Sequence, residues 1–239
     1  MKHILTTIFL LISLFALGQA GLSQVPKGAW KSQEPTGSTS TLIVADNYLA
    51  IASYSVGNKY FERSEGGPFT MSGDKMTYTP EFNSADTAKI GIPIVFTVTV
   101  KDDILTLRYE EAMVWMRVDD ATDVPMAGAW HITARASGGQ GELVKIHQEG
   151  TRKTLKLLSK TRFQWFAIDP AVKGFYATGG GTYTVQNGKY TENIQFFSKD
   201  NNRVGSSLKF DYKLENGRWD HSGKSSDGKP VHEIWEKIK

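Results

Sequence analysis

One pattern occurs twice in this chain, and that repetition constrains the fold more than any other feature of the sequence. Gly28-Ala29-Trp30 recurs as Gly128-Ala129-Trp130, and residues 66–101 match residues that lie 114 positions later. The matched pairs include Phe69 with Tyr183, Lys75 with Lys189, Phe82 with Phe196, Ser84 with Ser198, Asp86 with Asp200 and Phe96 with Phe210. One offset that holds across several segments indicates an internal duplication rather than a chance likeness between strands.

The duplication predicts two tandem domains, residues 26–120 and residues 125–239. Each unit starts with Gly-Ala-Trp and ends with a tryptophan in an apolar strand, Trp115 or Trp235. The segment between them, residues 119–125, is acidic and ends in proline, which is typical of a linker. The second unit carries extra residues at 137–141, which fit either a longer loop or an added hairpin.

Both units show the alternation of antiparallel β-structure. From Ser207 to Leu214 apolar and polar residues alternate strictly, and residues 94–100 repeat the pattern in the first unit. Asn187-Gly188 and Asn216-Gly217 provide the left-handed backbone that two-residue hairpin turns require. We therefore predict an all-β chain in which each unit is a small sandwich or a closed up-and-down barrel.

The first 20 residues have the layout of a secretory signal peptide. A short, positively charged start precedes an apolar run from Ile4 to Leu17, and Gly18-Gln19-Ala20 then supplies small residues for signal peptidase. We predict cleavage after residue 20, or as late as residue 24, and a secreted or periplasmic protein. The run is short for a transmembrane helix, so no transmembrane segment is predicted.

Composition removes several functional classes. The chain has no cysteine, which excludes disulfides, thiol catalysis, thiolate metal sites and a lipoprotein anchor. A net charge of +3, from 28 basic and 25 acidic residues, is too small to predict binding to nucleic acid. There is no Gly-x-Ser-x-Gly or His-Glu-x-x-His motif. We accordingly predict no catalytic residue, no cofactor and no metal site.

A basic stretch precedes the centre of the second unit, with no acidic residue between Gly150 and Asp169. Its members are Arg152, Lys153, Lys156, Lys160 and Arg162. The pattern predicts a solvated strand face, and an anion-binding rim is the alternative.

Several short segments of the second unit carry a family resemblance. They are Phe163-Gln164-Trp165, Gly180-Gly181-Thr182-Tyr183, Arg203-Val204-Gly205, Trp219-Asp220-His221-Ser222-Gly223 and Glu233-Ile234-Trp235. With these segments, about the last 115 residues resemble secreted bacterial lipocalin-like domains of the calycin type, whose function is unknown; the first unit resembles them loosely. The resemblance implies two tandem antiparallel lipocalin-like β-barrels of eight strands, with Trp130 closing one end of the second barrel and a ligand cavity at its mouth.

The positions at which the two copies differ predict a binding site. Ionisable residues of the second copy replace Tyr, Leu and Met of the first, namely Glu192 for Tyr78, His221 for Leu107 and Glu233 for Met113. A buried carboxylate or imidazole costs several kcal/mol unless it is paired, so these residues mark a candidate ligand site. The aromatic residues expected around them are Phe163, Trp165, Tyr183, Tyr190 and Trp235.

Three functions are compatible with this pattern. The first is a non-enzymatic binding protein that holds a small, partly apolar ligand in the second barrel. The second is an interaction module with filled barrels that binds a glycan or an envelope protein. The third is an enzyme in which Glu192 and His221 act as acid and base.

Overall fold

The computed structural model describes residues 25–120, 122–146 and 150–238. The predicted signal peptide and its cleavage site lie outside these residues. Within the described residues the chain forms two closed antiparallel β-barrels in tandem, which confirms the predicted all-β fold class.

The first barrel closes because its third and fourth strands pair with each other. Its strands are β1 (Gly28–Gln33), β2 (Thr39–Ala45), β3 (Tyr48–Ser55), β4 (Tyr60–Ser72), β5 (Lys75–Tyr78), β6 (Phe82–Asn83), β7 (Ile94–Lys101), β8 (Ile104–Arg108) and β9 (Ala112–Asp119). Eight of them follow the circular order β3-β2-β1-β9-β8-β7-β5-β4, and the short β6 pairs only with β4.

The second barrel closes between its first and last strands. Its strands are β10 (Gly128–Ala136), β11 (Leu143–Lys145), β12 (Lys153–Leu158), β13 (Arg162–Asp169), β14 (Gly174–Gln186), β15 (Lys189–Phe197), β16 (Ser207–Glu215), β17 (Arg218–Lys224) and β18 (Pro230–Lys237). β10 pairs with β12 on one side and with β18 on the other. The remaining strand, β11, extends from β10 as an added hairpin, which is one of the two structures expected for the extra residues.

The turns follow the predicted chemistry. Asn187 and Gly188 both have positive φ, 52° and 69°, and they connect β14 to β15. Asn216 and Gly217, with φ of 51° and 74°, connect β16 to β17 in the same way. Two successive left-handed residues match the right-handed twist of the flanking strands, so these turns fix the register of both hairpins.

Each barrel has a tryptophan from its first strand at one end of its core. Trp30 and Trp130 are both fully buried. Their indole Nε1 groups donate to the carbonyl oxygens of Pro26 (2.8 Å) and Met126 (2.9 Å), four residues earlier in each case. In the second barrel the ring of Trp130 meets Trp219 edge to face, with centroids 5.7 Å apart. The expected closure of the second barrel by Trp130 fits this packing.

An apolar cluster joins the two barrels, and its contacts are approximately reciprocal. Phe82 of the first barrel packs on Phe166 of the second, with ring centroids 4.7 Å apart. Phe196, the duplicate of Phe82, packs at the same centroid distance on Tyr54 of the first barrel. β6 of the first barrel thus packs against β13 of the second, and β15 of the second barrel packs against β3 of the first.

Polar groups also cross between the barrels, and they use part of the basic stretch. Lys153 Nζ lies 2.8 Å from Glu81 Oε1, and Lys160 Nζ lies 3.1 Å from Asp120 Oδ2. The prediction of a solvated strand face is therefore wrong for Lys153, whose side chain is only 28% exposed against the first barrel, whereas Lys160 lies beyond the end of β12 and remains partly exposed.

No helix among the described ranges has the length and apolar character needed to cross a membrane. The helical content there consists of short 3-10 turns such as Thr87–Lys89 and Asn201–Arg203.

Candidate functional site

Four strands bring ionisable side chains into the interior of the second barrel. Lys156 comes from β12, Glu192 from β15, His221 from β17 and Glu233 from β18. His221 and Glu233 are direct cross-strand partners in the β17–β18 register, so their side chains share one face. The four residues form two pairs, one between Lys156 and Glu192 and the other between His221 and Glu233.

The Lys156–Glu192 pair is almost fully removed from water. Lys156 Nζ lies 2.9 Å from Glu192 Oε1, and the two side chains are only 4% and 6% exposed. The ammonium also lies 4.9 Å from the ring centroids of Trp219 and Trp235 and 5.6 Å from that of Tyr190. The carboxylate neutralises the ammonium, and the π faces around it replace part of its lost hydration.

The second pair combines a histidine with a carboxylate at the edge of the interior. His221 Nδ1 lies 3.5 Å from Glu233 Oε2, and Trp235 Nε1 donates to the same oxygen at 3.1 Å. Burial, and next the positive charge of Lys156, hold the pKa of His221 below its usual value, although both nearby carboxylates oppose this. His221 is therefore neutral near pH 7.

Glu233 stays ionised in this arrangement. Burial alone would raise the pKa of its carboxyl, but the neighbouring His221 ring, the charge of Lys156 and the indole N–H of Trp235 outweigh that effect and lower it.

A cavity of about 260 Å³ opens above these groups, toward the end of the barrel opposite Trp130. Its floor carries the ionisable groups, and its walls and rim include Trp165, Phe197, Phe210, Arg203 and Ser226. The volume is slightly below the range of about 300–1,000 Å³ that is usual for small-molecule pockets. A mouth with aromatic walls and a charged floor can hold a small ligand that is apolar at one end and polar at the other.

Five of the eight predicted site residues line this cavity. They are Trp165, Glu192, His221, Glu233 and Trp235. Phe163, Tyr183 and Tyr190 are buried elsewhere in the core of the same barrel and do not line it. The hydroxyl of Tyr183, for example, donates to the carbonyl oxygen of Ser159 (2.6 Å), at the turn that follows β12. The eight residues thus share one barrel interior, divided into a cavity and the packed core.

Sequence reasoning missed Lys156 as a site residue. The prediction of a solvated strand face is wrong for this lysine, because its side chain points into the barrel. A signal was available, since at the offset of 114 residues Lys156 stands where the first copy has Leu42, and each pairs with the leading tryptophan of its barrel.

Arg203 at the rim was also not predicted as a site residue. Its guanidinium lies 4.8 Å from the ring centroid of Phe197. It is held there by Asp200 Oδ2, 3.3 Å from its Nε, and by a hydrogen bond of 2.6 Å from Nη1 to Ser226 Oγ. Arg203 therefore ties together two of the loops around the mouth.

The proposed acid–base partners do not meet. Glu192 bonds to Lys156, and no hydrogen bond joins Glu192 to His221 within the described part of the chain. Nor do the described residues contain a group of three or more His, Asp or Glu placed to hold a metal ion. His232 points away from Glu233 and lies 3.1 Å from Asp220, as expected for neighbouring residues on a strand.

Several buried polar atoms of the second barrel have no partner among the described residues. They include the hydroxyl of Tyr190, the indole nitrogen of Trp219 and both ring nitrogens of His221. Buried polar groups in folded proteins are almost always hydrogen-bonded. His221 borders the cavity, so its ring nitrogens lie beside the space in which a ligand would bind.

The first barrel has a different interior. At the positions of Lys156, Glu192, His221 and Glu233 it has Leu42, Tyr78, Leu107 and Met113. Leu42, Tyr78 and Leu107 belong to one apolar cluster that includes Trp30 and Trp115. The same fold therefore forms with an apolar interior in one copy and with charged groups in the other.

Comparison with known proteins gives one result for the second barrel. Residues 125–239 match the model of a family described as "Domain of unknown function (DUF4488)". No curated protein matches the chain. The second barrel is thus similar to a family whose function has not been described, and the match does not extend to the first barrel.

Proposed function

We propose that this protein is an exported, non-enzymatic binding protein whose second barrel is lipocalin-like and holds a small, partly apolar ligand. In this proposal the domains are residues 26–120 and 125–239, and the first barrel is a scaffold. The N-terminal segment that resembles a signal peptide, together with the lack of cysteine, supports a secreted or periplasmic location.

The observation that carries the proposal is the charged cavity of the second barrel. Buried ionisable groups weaken a fold unless they are paired, and replacing such pairs by apolar residues is often neutral or stabilising. The first barrel of the same protein has Leu42, Tyr78 and Leu107 at the matching positions, and they form part of its apolar core. Since the fold does not need Lys156, Glu192, His221 and Glu233, their presence around a cavity of about 260 Å³ favours a role in binding.

A second candidate function is supported by the outer surface of the first barrel. Ile104, Val114 and Met116 lie on the adjacent strands β8 and β9 and are each about half exposed. Exposed apolar side chains that lie together are typical of interaction surfaces. An interaction module for a glycan or an envelope protein would use this face, and it would leave the second cavity without a role.

Native mass spectrometry of the processed protein from its own host tests the binding function. We expect a retained small molecule in the natural protein and its loss in the double variant His221→Leu, Glu233→Met, which copies the first barrel. The matched control is Glu236→Gln, an exposed carboxylate on the same strand β18.

Two results together would refute the proposal. One is a ligand-free mass for the natural protein. The other is an unfolding temperature that does not change when the small-molecule fraction of the host is added, since any ligand that binds only the folded state raises that temperature.

A further inference from the structure

We propose that the ligand of the second barrel is a small organic amine whose ammonium group binds at Glu233, with its apolar part against the aromatic walls of the cavity. This inference rests on the proposed binding function and gives it a chemical class.

The charges around the cavity do not balance. The ammonium of Lys156 is cancelled by Glu192 at 2.9 Å, and at the rim Arg203 is cancelled by Asp200 at 3.3 Å. Among the described residues Glu233 has no basic side chain within ion-pair distance apart from His221, which burial keeps neutral. One negative charge is therefore left at the floor, and a cation is the ligand charge that would balance it.

Several hydrogen-bonding atoms at the floor of the cavity remain free. Glu233 Oε2 accepts from Trp235, while Glu233 Oε1 and Glu192 Oε2 have no hydrogen-bond partner among the described residues. When neutral His221 directs Nδ1–H toward Glu233, its Nε2 is an acceptor, and that atom is buried without a partner. Apart from the remaining N–H groups of Lys156, the free atoms of the floor are thus acceptors, and they suit an ammonium group because it is a donor only.

The surface above the floor of the cavity is largely aromatic. Trp165 and Phe197 meet edge to face with centroids 5.5 Å apart, and both line the cavity together with Phe210 and Trp235. Aromatic faces attract organic cations through their quadrupoles and also bury apolar carbon. A carboxylate ligand gains less here, because it would meet the charge of Glu233, while the two cations that line the cavity, Lys156 and Arg203, already have carboxylate partners.

Three probes of one shape separate the charges. We would titrate 2-phenylethylamine, 2-phenylethanol and phenylacetate into the processed protein by calorimetry near pH 7. We expect the amine to bind at least tenfold more tightly than the alcohol, and phenylacetate to bind most weakly. Glu233→Gln should raise the dissociation constant of the amine about tenfold and leave that of the alcohol unchanged. The control Glu236→Gln should change neither.

The outcomes separate this inference from the proposed function. If phenylacetate or the alcohol binds as tightly as the amine, or if folded Glu233→Gln keeps the amine affinity, the amine inference is wrong and binding in the cavity stands. If none of the three probes binds, the amine inference is also wrong, and the mass spectrum of the natural protein decides on the cavity independently. The comparison of the three probes in the natural protein needs no variant, so a folding defect in Glu233→Gln does not affect it.

Discussion

The substitution Glu192→Gln tests how the charged interior of the second barrel is stabilised. At 2.9 Å, and with an effective dielectric constant of about 20, the attraction between Lys156 and Glu192 is roughly 6 kcal/mol. Most of it offsets the desolvation of both ions, so the pair adds little net stability. Removing only the carboxylate leaves the ammonium buried without a counter-charge, and such changes cost about 3–5 kcal/mol. Because glutamine still accepts a hydrogen bond, we expect about 3 kcal/mol.

The measurement is urea denaturation followed by tryptophan fluorescence, since four of the six tryptophans belong to the second unit. The matched control is the double variant Lys156→Leu, Glu192→Tyr, which installs the residues of the first barrel, Leu42 and Tyr78. We expect it to recover most of the lost free energy of unfolding. A loss of unfolding free energy below about 1 kcal/mol for Glu192→Gln would refute this account of the pair. A double variant less stable than Glu192→Gln would refute it too.

Two further predictions concern stability. Trp130→Ala should lower the free energy of unfolding by about 3–5 kcal/mol, because the ring is fully buried against Trp219. Urea denaturation measures this loss. A loss below about 1 kcal/mol would mean that Trp130 does not close the core. Burial, and then Lys156, lower the pKa of His221, so the folded protein takes up this proton less readily than the unfolded chain. Stability should therefore fall as the pH drops through about 6.5 and stop falling below the folded-state pKa. Unfolding titrations should show a flatter slope for His221→Leu, and an unchanged slope would contradict the assignment.

The repeated pattern of the sequence predicts much of the architecture for a physical reason. Strand alternation and the Asn187-Gly188 and Asn216-Gly217 turns are local properties, and they place Glu192 and His221 on inward faces without any knowledge of the tertiary structure. The duplication adds an internal comparison. It identifies inward positions where one copy is apolar and the other is ionisable.

Lys156 shows why the rest of the site could not be predicted in this way. In β12 the outward residues Leu155 and Leu157 are buried because they pack toward the first barrel. Lys156 between them points inward and is buried too. Because of the contact between the barrels, this strand has apolar side chains on its outward face and a charged side chain on its inward face. Alternation alone therefore assigns the lysine to solvent. The division of the aromatic residues into a cavity and a packed core likewise depends on side-chain packing that no local pattern records.

The reciprocal contact between the barrels has a consequence for how the interiors vary. It has the form of the twofold interface of a symmetric dimer, in which the same patch is used by both partners. In such a dimer, encoded by one gene, a substitution inside one barrel necessarily appears inside the other. Two copies within one chain break that symmetry, so Lys156 can occupy one interior while Leu42 keeps the other apolar. The second barrel can therefore carry charged groups in its interior, while the first barrel keeps an apolar interior within the same fold.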